Sequence, residues 1–141
     1  MQIISFATNP NGKLFNDNFS DIRLADSEKY FPGNSLEVRL KNQLLGIVQV
    51  MATRDFKYNQ ISDVLSYLNI GKPAAYQADL LKRYYMSVET LTNDTRLTHI
   101  VFKYTYQNID AHAALLQDWW KNKMHQYPKQ SINQSTLFDN G

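Results

Sequence analysis

The chain has 141 residues, of which 43% are hydrophobic and 20% charged, with a net charge of +2 and no cysteine. That length fits one domain, and a chain of this size buries about two-thirds of its unfolded surface without disulfide or metal support. The composition excludes a disordered chain, a disulfide framework, cysteine-ligated zinc and thiol catalysis, while the small positive charge permits nucleic-acid binding without requiring it.

Gln2 to Ala7 reads as a first strand, with Ile4 and Phe6 on one face. It lacks a basic n-region and soon meets Asn9-Pro10-Asn11-Gly12, so a first strand and turn are expected here and not a signal peptide. No apolar run approaches the roughly 18–20 residues of a membrane span, so a cytoplasmic protein away from membranes is expected. Lys13 to Ser20 carries Leu14, Phe15 and Phe19 among polar residues, as a short helix or an irregular loop would, and Asp21 to Ala25 predicts a short strand. Pro32 and Gly33 set a turn within Tyr30 to Asn34. Leu36, Val38 and Leu40 then alternate with Glu37, Arg39 and Lys41 as a half-buried strand. After a tight connection at Asn42-Gln43, Leu44 to Ala52 returns as a buried strand, with Gly46 marking a bulge or a bend.

Asn59 can cap a helix from Gln60 to Leu68, whose Ile61, Val64, Leu65 and Leu68 recur at helical spacing. Gly71-Lys72-Pro73 ends it. A second helix, Ala74 to Met86, puts Tyr76, Leu80 and Tyr84 along one stripe with Leu81 and Tyr85 beside it. Thr98 to Tyr106 is β-branched and aromatic in alternation and predicts another strand. A final helix at 109–124 shows an apolar stripe of Ile109, Ala113, Leu116 and Trp120, flanked by Leu115 and Trp119. The order predicts one α+β domain over 1–126, followed by a flexible polar tail at 127–141.

Several chemistries find no support. His99, His112 and His125 are far apart and form no zinc-binding spacing, so no metal site is expected. No GxGxxG, P-loop or GxSxG pattern occurs, and no cofactor is expected. The aromatic load is high, with nine Tyr, seven Phe and two Trp. Tyr30, Tyr58, Tyr76, Tyr104 and Tyr106 offer faces on which bases could stack, although a core-edge ring with a wet hydroxyl is the commoner role.

The run Tyr30-Phe31-Pro32-Gly33-Asn34-Ser35-Leu36-Glu37-Val38 follows a short strand and Ile22-Arg23, and precedes Gly46-Ile47-Val48-Gln49-Val50. This succession resembles the ASCH superfamily, whose domains are PUA-like. The likeness extends through Leu80-Leu81-Lys82-Arg83-Tyr84-Tyr85 to Ile100-Val101-Phe102. It implies a small mixed β-barrel with flanking helices and a link to RNA binding, and it leaves 109–124 as an added C-terminal helix. One bacterial branch hydrolyses N4-acetylcytidine with a Lys, a Thr and a Glu. Its signature, G-x-K-x-x-x-x-R, aligned on Arg23, places Asn16 at the Gly, Asn18 at the Lys, and Asp21 where that branch has Thr. A neutral amide cannot serve as the amine base, and Asp21 has no hydroxyl to activate.

The resemblance therefore implies a module that binds RNA, a nucleotide or a modified nucleoside without that chemistry. Arg23 would anchor the ligand, Asn18 and Asp21 would read polar edges, and Arg54 and Tyr76 would reach the same cleft if the barrel closes as in the family. Two alternatives stand beside it. One is a small hydrolase of N-acylated nucleosides or similar amides, with Asp21 or Asp79 as general base. The other is a protein-interaction domain that forms a homodimer through the C-terminal helix and Trp119.

Overall fold

In the computed structural model, which describes residues 1–85 and 90–125, the alternation after the Pro32-Gly33 turn becomes strand β3 (Ser35–Leu40), with Leu36, Val38 and Leu40 buried. Lys41 and Asn42 both take left-handed backbone angles, φ 50° and 66°. That pair makes the two-residue hairpin whose twist matches its strands, so β4 (Gln43–Lys57) returns antiparallel to β3. β4 pairs with β5 (Arg96–Gln107), and β5 pairs with β2 (Asn18–Leu24), both antiparallel. On the other side β1 (Gln2–Phe6) lies parallel to β3, giving the sheet order β1-β3-β4-β5-β2.

Register shifts at Val38/Arg39, Ile47/Val48 and Val50/Ala52 bend this sheet into a curled half-barrel. Gly46 sits at one of them, where a Cβ would lie 2.1 Å from the Tyr106 carbonyl oxygen. The backbone ladder does not join β1 to β2. Those two edges meet through side chains instead: Phe6 against Phe19, and Arg23 Nη2 donating to the Ser5 carbonyl at 2.9 Å.

Helices α1 (Asp63–Ile70) and α2 (Ala74–Tyr85) cover one opening of the half-barrel, and α3 (Ile109–His125) packs near the β4 end and the irregular turn Pro10–Phe15. The main core includes Ile4, Leu14, Val38, Leu45, Val48, Ile100 and Phe102. A second cluster of Ile22, Leu81, Leu91 and Leu97 lies against Ile61 and Leu65. The α+β class is that expected from the element order, and the curled half-barrel with flanking helices fits the small barrel that the resemblance implies. Met86 and the tail at 127–141 lie outside the described residues.

Three local expectations are corrected. β4 runs on to Lys57, since every residue beyond Ala52 keeps a partner on β5, ending at Lys57 against Arg96. Helix α1 begins at Asp63 and not at Gln60, because Ser62 supplies the cap: its hydroxyl accepts from Leu65 N–H at 3.1 Å. Asn59 instead lies in a short 3-10 turn, Tyr58–Gln60.

The inward faces of the helices also differ. On α1 the buried side chains are Ser66 and Asn69, while Val64 and Leu68 face outward. On α3 the predicted stripe of Ile109, Ala113, Leu116 and Trp120 is exposed, and Ala111, His112, Leu115 and Trp119 turn inward. The ring nitrogen of His112 bonds the Leu45 carbonyl at 2.9 Å, and Trp119 fills the space that Gly12 leaves open. Polar partners on the body of the domain decide these faces, and hydrophobic periodicity alone does not see them.

Candidate functional site

Alternation along β2 puts Asp21 and Arg23 on one face, two residues apart. Arg23 Nε donates to Asp21 Oδ2 at 2.6 Å. The other carboxylate oxygen, Oδ1, accepts from Lys13 Nζ at 3.0 Å. Lys13 arrives from the turn Pro10–Phe15, in which Asn11 and Gly12 are successively left-handed at φ 57° and 66°. That kink directs the lysine inward, where it is only 7% exposed. Two hydrogen bonds hold the turn: Asn9 Oδ1 accepts from Leu14 N–H, and the Tyr104 hydroxyl donates to the Leu14 carbonyl.

The network continues into the helices. Lys13 Nζ also donates to Asn69 Oδ1 at 2.8 Å, and Asn69 Nδ2 donates to Gln77 Oε1 at 2.8 Å. This explains why α1 buries Asn69, since a buried ammonium needs acceptors more than it needs hydrocarbon, while Ser66 beside it donates to the Pro73 carbonyl at 3.0 Å. The Arg23 guanidinium lies 4.6 Å from the centre of the Phe6 ring and 5.9 Å from that of Tyr84, within cation–π range of both.

Above this floor opens a cleft of about 180 Å³. Lys13, Asp21, Arg23 and Gln77 supply its polar groups, and Phe6, Leu80, Tyr84 and Tyr85 line its apolar wall. Two cations face one carboxylate, so the floor carries net positive charge. Burial alone would raise the Asp21 carboxyl, but Lys13 and Arg23 outweigh it and hold the group below the ordinary aspartate value. Burial lowers Lys13 below an ordinary lysine by more than Asp21 restores. Burial also opposes the charge on Arg23, yet Asp21 beside it holds that charge more firmly than in an isolated arginine. Tyr30, near the same guanidinium, is pushed up to about 12, chiefly by burial.

Of the residues singled out from sequence, the structure brings Asp21 and Arg23 together in the cleft. It places the others elsewhere. Asn18 is exposed at the start of β2, Arg54 is exposed on β4 across from His99, and Tyr76 is exposed on α2 near Lys72. None of these three lines the cleft. Asp79 projects from the outer face of α2, where it pairs with Arg83 at 2.6 Å, so it shares no cavity with Asp21. Position 18 brings no charge to the cleft; the amine beside Asp21 is that of Lys13, eight residues before it. Sequence reasoning also passed over Asn69, Gln77 and Tyr84. The Asn11-Gly12 pair was the available signal for a turn able to aim the next residue inward. Among the described residues, no three His, Asp or Glu side chains gather as a metal would require, and no helix is long and apolar enough to cross a membrane.

No family model matches the sequence, and no curated protein matches it. Among solved structures, the chain is similar to protein EF3133 from Enterococcus faecalis V583, described as of family DUF984, with a TM-score of 0.51 and 14% identity. The match covers 63% of this chain and 61% of that one, and at this identity it speaks for the fold.

Proposed function

We propose that the cleft binds a single nucleobase-sized group, as a free nucleoside or nucleotide or as one base of an RNA, in the manner of an ASCH/PUA-like module. The observation that carries this reading is the buried Lys13–Asp21–Arg23 floor beneath the Phe6 and Tyr84 rings. Apolar walls with a few converging polar groups are the usual make-up of a small-molecule site, and drug-sized ligands occupy about 300 Å³ or more. A cleft of about 180 Å³ has room for one planar heterocycle. The net positive floor favours carbonyl or phosphate oxygens, which charged donors bind most strongly. Gln77, whose Oε1 is taken by Asn69, has an amide NH2 left to offer at the cleft wall.

The test is a calorimetric titration with the four nucleosides, their 5′-monophosphates and a short single-stranded RNA. Binding of at least one is expected, and Tyr84→Ala should weaken it by about 1–3 kcal/mol, the range for one base–aromatic stack. No heat with any of them at low salt would overturn the reading.

A second reading, hydrolysis of an N-acylated nucleoside or similar amide, draws on the lowered Lys13 amine beside a carboxylate. Burial moves this amine in the direction a general base requires. Asp79 takes no part in it, and Asp21 would orient the lysine. Release of acetate from N4-acetylcytidine, lost in Lys13→Met, would support this reading, and no turnover in the unmodified protein would remove it.

A further inference from the structure

Helix α3 carries an apolar face that nothing in the described domain covers. Ile109 is 75% exposed and Trp120 58%, with Leu116 and Met124 also open to solvent and Ala113 between them. Their spacing of four, three, four and four residues is that of a packing seam, about 22 Å long at a 1.5 Å rise per residue. The opposite face of the helix already serves the domain through Ala111, His112, Leu115 and Trp119. Scattered exposed apolar side chains are ordinary, but a continuous seam of large ones marks a contact surface.

We propose that this seam pairs with the same seam of a second copy of the chain, the two α3 helices running antiparallel about a two-fold axis near Leu116. Two features favour a second copy as the occupant. The first is charge. The N-terminal half of α3 bears Asp110, and the C-terminal half bears Lys121 and Lys123 against a single Asp118, so the two halves differ in sign. An antiparallel pair sets acidic half against basic half twice over, and a parallel pair would set like against like. Asp110 and Lys121 flank the seam on the same side, so each comes within reach of the other on the opposing helix.

The second feature is shape. With the axis between Leu116 and Gln117, Ala113 lies opposite Trp120 and Ile109 opposite Met124, so that the smallest residue of the seam receives the largest. That alternation of large against small is how facing helices interlock. Buried surface from one helix pair is at the low end for stable association, so a dimer dissociating in the micromolar range is the expected strength.

Sedimentation equilibrium of the full chain, from about 1 to about 500 µM in a low-salt buffer, tests this, the span bracketing a micromolar dissociation constant. A monomer–dimer equilibrium is expected, shifted toward monomer by about tenfold or more in Leu116→Glu and in Trp120→Glu. All of the substituted side chains are exposed, and unchanged thermal unfolding at a concentration where the protein is monomeric shows that the fold is intact. Asp110→Lys and Lys121→Asp should each weaken the dimer, and the two together should restore it, an outcome that only the antiparallel arrangement yields. Monomer alone throughout the range would overturn the proposal. So would a dimer indifferent to Leu116→Glu and Trp120→Glu, or one that forms only after removal of residues 126–141, which would assign the seam to that segment. A failed nucleoside titration leaves this result untouched, because the seam and the cleft share no residue.

Discussion

Neutralising Asp21 would leave Lys13 and Arg23 buried side by side with no countercharge, since its two oxygens serve one cation each. Asp21→Asn should therefore cost about 3–5 kcal/mol in denaturant unfolding, the usual loss when one partner of a buried ion pair is removed. Lys13→Met should cost less, because Arg23 and Asp21 remain paired and the methionine stem fills the same space. Equal losses in the two variants would show that the carboxylate is not the centre of the network. The pH dependence follows from the same group. The folded pKa of Asp21 lies below its ordinary value of 3.8, so its contribution to stability is fully present above that value and is lost as pH falls through the folded pKa. The acid limb of the stability curve should flatten in Asp21→Asn. At this scale the sequence spoke partially: Arg23 and Asp21 stand two apart on a legible strand. Lys13 reaches Asp21, and Asn69 and Gln77 line up behind it, only once the chain has folded.

Among the elements, strands were more legible than helix faces. β3 declares itself by alternation, the tight connection expected at Asn42-Gln43 falls one residue earlier at Lys41-Asn42, and Gly46 marks its bulge through a close approach no side chain could share. Gly46→Ala should accordingly destabilise the domain by more than the roughly 1 kcal/mol expected of a change in strand propensity, because a Cβ at 2.1 Å from the Tyr106 oxygen forces the β4–β5 pair apart. Melting of this variant beside Ser62→Ala, a lost helix cap costing about 1 kcal/mol, provides the scale. Apolar periodicity misplaces the inward faces of α1 and α3 for one physical reason. Periodicity reports where apolar residues lie, and it takes for granted that the interior wants them. Here α1 meets a buried lysine and α3 meets the Leu45 carbonyl and a glycine, so polar and small-gap contacts set the rotation of each helix.

Over the whole molecule, the half-barrel leaves β1 and β2 without a shared ladder and bridges the gap at only a few points, through Arg23 and two aromatic rings. The opening this leaves is where the cleft forms, so the site is a consequence of incomplete closure and not a decoration on a finished barrel. That geometry depends on strand order, which local sequence patterns do not encode.

The turn Pro10–Phe15 touches three things at once. Asn11 packs against Gly71 at the end of α1, Gly12 lies under Trp119 of α3, and Lys13 forms part of the cleft floor. A ligand that steadied this turn through Lys13 would also tighten the seat of Trp119, and whatever steadies α3 would then raise affinity in the cleft by the same factor, since coupling free energies are reciprocal. Filling the cleft should slow amide exchange along α3, a helix that never touches the ligand, and Gly12→Ala, strained at its positive φ and crowding Trp119 at 3.2 Å, should abolish that response.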